Sequence, residues 1–266
     1  MTPYRRGASP LPADVLICSG LDPAGGAGLI SDVRVVTELG GRPSGIITAL
    51  TVQNTTGVVE CHACDPEVVG HQLAFLLSDV EMRAVKIGMI GSTEVAKAIA
   101  NALQLTAAPV VWDPILYPSR GDVALADSLF GDAIIALRPH LTLVTPNVRE
   151  LAFMTSMPVT DLASAEAAGS DLARRLDAAV LIKGGHLGGA SAIDILLHPG
   201  GREVMRGPRI PGGEHVHGTG CALSSAIATH LAAGRDIALA CELAKQYVAA
   251  RIADPARPGR GAAAVL

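Results

Sequence analysis

Short, nearly unbroken apolar runs alternate along this chain with stretches whose apolar positions recur every three or four residues. The first pattern fits buried strands and the second fits helices with one apolar face. Strands are expected over 14–20, 44–50, 84–91, 109–114, 141–146 and 178–183, most of them ending on Gly, Pro or a charged residue. Between the first two, Leu29, Val33, Val36 and Leu39 recur at helical spacing until Gly40-Gly41 stops them. Pro66 opens a helix whose apolar side is Val68, Leu73, Leu76 and Leu77, and Thr93 is placed to cap a helix running to Leu103. Further helices are expected over 123–137, closed by Arg138-Pro139, after Asn147 as a cap, and through 172–176. The run Thr51-Val52-Gln53-Asn54-Thr55-Thr56-Gly57 is too polar for a core. Short strands at 192–197 and 203–206 flank the hairpin signal His198-Pro199-Gly200-Gly201. Two helices, 219–233 and 237–253, follow on either side of Gly234, and the chain after Pro255 reads as irregular. No repeat of solenoid length is present. Strands alternating with helices predict an α/β sandwich around a mostly parallel sheet.

Composition narrows this to one large α/β domain, taken as 13–266. The chain has 266 residues, 49% of them hydrophobic and 17% charged, enough for a substantial core. Aromatics make up 3%, so the core must be built from Ala, Val, Leu and Ile. Residues 1–12 carry Pro3, Pro10 and Pro12 without the apolar centre of a signal peptide, and read as a disordered leader. The formal charge of −4 gives no general attraction to nucleic acid or to an anionic membrane, and no apolar run reaches membrane-spanning length. A cytoplasmic protein is expected. The five cysteines do not suggest a disulfide framework. Cys61-His62-Ala63-Cys64 has metal-ligand spacing, but no second pair supplies the four ligands of a structural zinc.

Candidate chemistry gathers at the predicted strand ends. His217-Gly218-Thr219-Gly220-Cys221 precedes the small-residue run Ala222-Leu223-Ser224-Ser225-Ala226. A glycine turn at a helix start leaves backbone N–H groups unpaired, and the helix dipole adds positive charge, which suits phosphate. The same field favours a thiolate at Cys221. The plainer alternative is a tight turn with Cys221 as a small buried residue. Asp22-Pro23-Ala24-Gly25-Gly26-Ala27-Gly28 lies between a strand and a helix, as in ligand-binding βα turns. It lacks the third glycine of a dinucleotide fingerprint and the Gly-Lys-Ser/Thr of a P-loop, so it suits a smaller molecule. Asp22, Asn54, Met89, Asp113, Asn147, Glu150, Lys183 and the Gly218 turn together suit Mg²⁺-assisted phosphoryl transfer. Lys183 is one of four lysines and is costly to bury without an anion, the alternative being a solvated strand end. Asn147 and Glu150 also have the spacing of an ordinary capping box.

Read together in this order, several motifs resemble the hydroxymethylpyrimidine/phosphomethylpyrimidine kinases of thiamin biosynthesis, within the ribokinase-like superfamily. They are Gly20-Leu21-Asp22-Pro23-Ala24-Gly25-Gly26-Ala27-Gly28 with Asp32, Thr48-Ala49-Leu50 with Gln53-Asn54-Thr55, Lys86-Ile87-Gly88-Met89, Asp113-Pro114, Thr145-Pro146-Asn147 with Glu150, Lys183-Gly184-Gly185-His186 and His217–Cys221. The resemblance runs from about Val15 to Ala233. It implies a three-layer αβα ribokinase-like fold, ATP with Mg²⁺, a homodimer, and phosphorylation of 4-amino-5-hydroxymethyl-2-methylpyrimidine and then of its monophosphate. By matching positions it implies that Asp32 and Gln53 hydrogen-bond the pyrimidine while Ala27, Thr51, Met89 and Ile115 line its pocket. Asn147 and Glu150 are implied to position Mg²⁺ and phosphates, with Asp113 supporting them through water. Lys183 is implied to neutralise the transferring phosphoryl. The amides of Gly218, Thr219, Gly220 and Cys221 are implied to form the anion hole, Thr219 and Gly220 also holding the nucleotide phosphates. Cys221 stands where sugar kinases of the superfamily place an aspartate base, and either accepts the hydroxyl proton or orients it. Arg120 replaces a small residue and either clamps a phosphate or faces solvent. Two alternatives remain: a pyridoxal-type kinase of the same fold, and a non-catalytic pyrimidine-binding protein. The second forecasts loss of Lys183, Glu150 or the glycine turn, all of which are present.

Overall fold

The computed structural model describes residues 13–116, 130–185 and 191–265. The leader 1–12, Arg120, His186 and the first part of the helix expected at 123–137 lie outside these residues. Among those described, nine strands form one sheet in the order β3-β2-β1-β4-β5-β6-β7-β8-β9. The strands are β1 (Asp14–Leu21), β2 (Arg42–Asn54), β3 (Gly57–Ala63), β4 (Ala84–Ile87), β5 (Val110–Trp112), β6 (Leu143–Val144), β7 (Ala179–Lys183), β8 (Ser191–His198) and β9 (Gly201–Pro208). From β2 to β7 every neighbouring pair is parallel, while β3, β8 and β9 add antiparallel margins.

Side chains alternate across the parallel strands, and each face carries its own core. Leu16, Val85, Trp112, Val144 and Val180 face one side, packed against α2 (Pro66–Leu77), α3 (Thr93–Leu103), α4 (Phe130–Leu137), α5 (Val148–Thr155) and α6 (Leu162–Leu176). Val15, Ile17, Val111, Leu143 and Leu181 face the other, against α1 (Gly28–Glu38), α7 (Thr219–Ala232) and α8 (Ile237–Ala253). This is the three-layer αβα arrangement, with Ala, Val, Leu and Ile dominating both cores as expected from the scarcity of aromatics.

One local expectation is corrected and two are extended. Ser92, not Thr93, caps α3, its hydroxyl accepting from the Val95 N–H at 3.3 Å. As expected, the polar run 51–54 stays out of the core, and it forms the outer half of β2, returning through Thr55-Thr56 into β3. Both faces of this part of the hairpin are partly wet, which suits its polar residues. The segment after Pro255 has little regular structure yet is packed: Ala262, Ala263, Ala264 and Val265 are all buried. Its backbone bonds the turn of the β2–β3 hairpin, with Ala262 N–H donating to Thr55 O at 2.8 Å. It also bonds His217, which donates to Ala263 O at 2.8 Å and accepts from Val265 N–H at 3.1 Å.

Candidate active site

The carboxyl edge of the parallel strands opens into a cavity of about 930 Å³, running from the β2–β3 hairpin to β9 and α8. Ligands of open α/β sheets bind at this edge. Asp113 follows β5, Glu150 sits in the first turn of α5 after β6, and Lys183 ends β7, so three adjacent strands deliver three charges to one place. Lys183 Nζ lies 2.6 Å from Asp113 Oδ1 and 3.7 Å from Glu150 Oε2. Burial alone would lower the Lys183 pKa, but Asp113 and Glu150 outweigh it and hold the ammonium charged. Burial raises the Glu150 carboxyl to about 7, against the pull of Lys183.

Asn147 and Glu150 form the capping box that their spacing allows. Asn147 Oδ1 accepts from Glu150 N–H at 2.9 Å, and Glu150 Oε2 accepts from Asn147 N–H at 2.7 Å, which is a capping box. The box fixes the Glu150 carboxylate beside Lys183, and both residues line the cavity.

Opposite this cluster stands the N-terminus of α7. Gly218 has φ +83°, and a Cβ there would lie 2.0 Å from Gly26 O, so only glycine lets the turn approach the 25–28 loop. No side chain caps the helix. The first intrahelical amide is that of Ala222, bonded to Gly218 O, and the amides of Thr219, Gly220 and Cys221 precede it at the cavity wall. A Cβ on Gly220 would lie 3.3 Å from both Asp113 Oδ2 and Lys183 Nζ, which places the amide turn directly on the charged cluster.

Cys221 also lines the cavity, but its thiol is not activated. Burial pushes its pKa up to about 11. Lys86 lowers it, Asp32 and Asp113 raise it, and the Gly28 amide bonds it. The helix field expected to favour a thiolate is therefore outweighed by desolvation.

Of the residues expected around the pyrimidine, Ala27, Thr51, Gln53, Met89 and Ile115 line the cavity. Met89 packs on Ala49 with Val58 and Ile115 beside them, giving an apolar wall. The Thr51 hydroxyl is already committed to Leu21 O at 2.8 Å. Asp32 is a correction. It is fully buried on the α1 side of β4, with Oδ2 2.5 Å from Lys86 Nζ and Oδ1 accepting from Ser225 Oγ at 2.8 Å. A carboxylate so enclosed must satisfy a buried cation and has no edge left for a ligand.

Asp22, already expected at this edge, lines the cavity, while Lys86 and Asp194 shape the site without having been assigned a role in it. Asp194 bonds the Gly184 amide at 3.0 Å and Lys245 Nζ at 2.5 Å, tying the turn after Lys183 to α8. Lys86 and Asp194 each stand alone in an apolar strand, and that pattern signals a buried ion pair. At the β9–α8 end the cavity is lined by Ile210, Val216, Val248 and Ile252. Cys61 and Cys64 are half-buried, Cys61 packing beside the Met89 wall and Cys64 against the larger core.

The residues present fit ATP and Mg²⁺. Among the described residues no three His, Cys, Asp or Glu side chains form a metal site alone. Mg²⁺ needs one or two carboxylates when phosphates and water complete its shell, and Asp113 and Glu150 provide two.

Comparison with known proteins identifies the family. Residues 22–266 match the family profile described as phosphomethylpyrimidine kinase. A hydroxymethylpyrimidine/phosphomethylpyrimidine kinase of Streptomyces coelicolor is 38% identical over 244 residues, 91% of this chain and 89% of that one. One from Rhizobium meliloti is 37% identical, covering 94% of each chain. The crystal structure of phosphomethylpyrimidine kinase from Clostridium difficile superposes with a TM-score of 0.77 at 31% identity, over 90% of this chain and 99% of that one. Pyridoxal kinase from Staphylococcus aureus in complex with ADP shares the fold, with a TM-score of 0.85 at 24% identity, over 95% and 92% of the two chains. On the profile match and on this identity and coverage, the chain is a phosphotransferase that belongs to the phosphomethylpyrimidine kinase family.

Proposed function

We propose that this chain phosphorylates 4-amino-5-hydroxymethyl-2-methylpyrimidine and then its monophosphate with Mg²⁺-ATP, a step of thiamin biosynthesis. The observation that carries the reading is the Asp113–Lys183–Glu150 cluster set against the Gly220 amide turn, within one cavity that also holds the Met89 wall. Bound Mg²⁺-ATP supplies the transferable phosphoryl group and part of the charge neutralisation. Asp113 and Glu150 offer oxygen ligands to Mg²⁺, and Asn147 orients Glu150 through the capping box. Lys183 presents its ammonium to the oxygens that gain charge in the transition state, where a fixed buried cation is worth most. The amides of Thr219, Gly220 and Cys221 bind the same phosphoryl from the helix end.

Ala27, Thr51, Met89 and Ile115 enclose the ring, and Gln53 bonds its polar edge. Cys221 carries a protonated thiol at neutral pH, so it orients the substrate hydroxyl rather than removing its proton. The apolar residues Ile210, Val216, Val248 and Ile252 form the nucleotide-base end. The protein acts in the cytoplasm as a homodimer. Among the described residues no helix is long and apolar enough to cross a membrane, and Leu50, Val52 and Val59 expose apolar side chains on the β2–β3 hairpin. Light scattering on the purified protein checks the dimer.

The function is tested by ADP release with Mg²⁺-ATP and either the pyrimidine alcohol or its monophosphate. Folded protein that turns over neither refutes the reading. A higher kcat/KM for pyridoxine than for the pyrimidine alcohol would reassign it as a pyridoxal-type kinase.

A further inference from the structure

Asp194 interrupts the apolar strand β8 and lines the cavity, yet no step above uses it. It stands directly opposite Lys183 in the β7–β8 register. Lys183 reaches forward to Asp113 and Glu150, whereas Asp194 holds the backbone behind it. The Lys183 amide donates to Pro146 O at 2.9 Å, and the next amide, that of Gly184, donates to Asp194 Oδ1 at 3.0 Å. β7 ends at Lys183, so the Gly184 amide lies past the ladder and takes a side-chain acceptor in place of a strand carbonyl. The two peptide planes that flank the Lys183 Cα are thereby fixed, and with them the direction in which its side chain leaves the strand. Arg209 Nη1 donates to Gly185 O at 2.8 Å and holds the turn that follows.

The other carboxylate oxygen explains how an anion can stand beside a phosphate site. Lys245 Nζ, on α8, lies 2.5 Å from Asp194 Oδ2, and the two side chains are 15% and 12% exposed. The lysine stem passes over small residues to reach it. A Cβ on Gly207 would lie 3.2 Å from Lys245 Cε, and Ala192 faces Gly207 across β8 and β9. Without Lys245 the carboxylate would be an unpaired charge in the cavity wall. Lys245, Val248 and Ile252 follow i, i+3, i+7 spacing on α8, and all three line the cavity. One helix face thus carries both the apolar base end and the counter-charge of the group that holds the Lys183 turn.

We propose that Asp194 is a positioning residue that sets Lys183 on the transferring phosphoryl group through the Gly184 amide, with Lys245 as the counter-charge that keeps Asp194 from repelling the nucleotide phosphates. The proposal rests on the kinase reading above, because Lys183 is its point of action.

The test is steady-state kinetics with the pyrimidine alcohol and Mg²⁺-ATP. Three variants are compared with wild type: Lys245→Met, Asp194→Asn with Lys245→Met, and Asp194→Leu with Lys245→Met. Both double variants lose the ion pair, but only the first keeps an oxygen for the Gly184 amide. The first should keep kcat within roughly threefold of wild type. The second should lose kcat roughly tenfold or more while KM for ATP moves less than about threefold, because a misplaced Lys183 weakens the transition state more than the ground state. In a Lys183→Ala background the two should differ in kcat by less than about twofold, since the effect passes through Lys183. Lys245→Met alone should raise KM for ATP roughly fivefold or more, and adding Asp194→Asn should reverse it. Equal kcat in the two double variants, or an equal difference without Lys183, makes Asp194 merely structural and overturns the proposal. An unchanged KM for ATP in Lys245→Met overturns it as well.

A measurement on the wild-type protein covers a variant that does not fold. The Gly184 amide should exchange with solvent at least roughly a hundredfold more slowly than in an unstructured chain, and unprotected exchange overturns the proposal. Wild type that turns over neither the alcohol nor the monophosphate sinks the kinase reading and this role together. Turnover indifferent to the Gly184 bond sinks the role of Asp194 alone.

Discussion

Replacing Lys86 with Met tests whether Asp32 serves the fold rather than the ligand. Both side chains are fully buried, with Nζ 2.5 Å from Oδ2. At that separation and an effective dielectric constant of about 20, the Coulomb attraction is roughly 6–7 kcal/mol, most of it spent on desolvating the two ions. Removing the cation alone leaves a buried carboxylate without a counter-charge, at a cost of about 3–5 kcal/mol. By calorimetry at pH 7.5 the Tm should fall by roughly 6–20 °C. Adding Asp32→Asn should recover most of it, because the Asn amide keeps a bond to Ser225 without a charge. A Tm within about 2 °C of wild type, with KM for the pyrimidine raised tenfold, would refute the reasoning and return Asp32 to the pocket.

Lys183→Ala should lower kcat by roughly 10²–10³-fold while KM for ATP changes only a few-fold, because its charge is needed most in the transition state. Steady-state kinetics separates this from a binding role, which would raise KM and spare kcat. Cys221→Ala should lower kcat at least tenfold with nucleotide affinity unchanged by calorimetry; near-wild-type turnover would remove the thiol from handling the hydroxyl. Burial raises Cys18 and Cys241 from 9.0 to about 12, so unfolding releases protons above pH 9 and stability falls as pH rises. Denaturant titrations between pH 9 and 10.5 should show this decline flattened by up to about 1.4 kcal/mol per pH unit for each of the two replaced by Ala, and an unchanged slope would show that the thiols ionise within the fold.

The parallel core was legible because burial on both faces leaves a direct trace: β1, β4, β5 and β7 are apolar at nearly every position. The catalytic edge was legible for a related reason. A polar residue ending an apolar strand is costly unless it is used, which singled out Asp113 and Lys183, while the Gly218 turn showed as paired glycines opening a helix. The β2–β3 hairpin was hidden because its outer half is wet on both faces and carries no clear alternation. Asp32 was misplaced for want of a partner. Its i+4 neighbours on α1 say nothing of Lys86, 54 positions away, or of Ser225, 193 away.

The tail after Pro255 shows why some of the site lies beyond any local pattern. Gly261 N–H bonds Thr55 Oγ1 at 3.1 Å, and Ala262 itself lines the cavity. A Cβ on Gly261 would fall 1.8 Å from Thr55 O, so the two backbones touch there. Two residues later the chain brackets His217, whose ring reaches Asp22. Thus Thr55 at the turn of the hairpin, Asp22 at the end of β1, and His217 at the head of the anion turn are joined through one short segment. Its residues are small because they lie between loops that approach closely: Ala264 Cβ is 3.2 Å from where a Cβ on Gly26 would stand, and Val265 Cγ2 is equally close to one on Gly218. Alanine and glycine give no periodic signal, and so the sequence reads as irregular. Physically the segment is the fourth side of the site. Any motion of the hairpin relative to the anion turn must stretch the Thr55 and His217 hydrogen bonds that it carries. The enclosure of the pyrimidine and the geometry of the amides are therefore coupled through backbone bonds that no catalytic side chain makes.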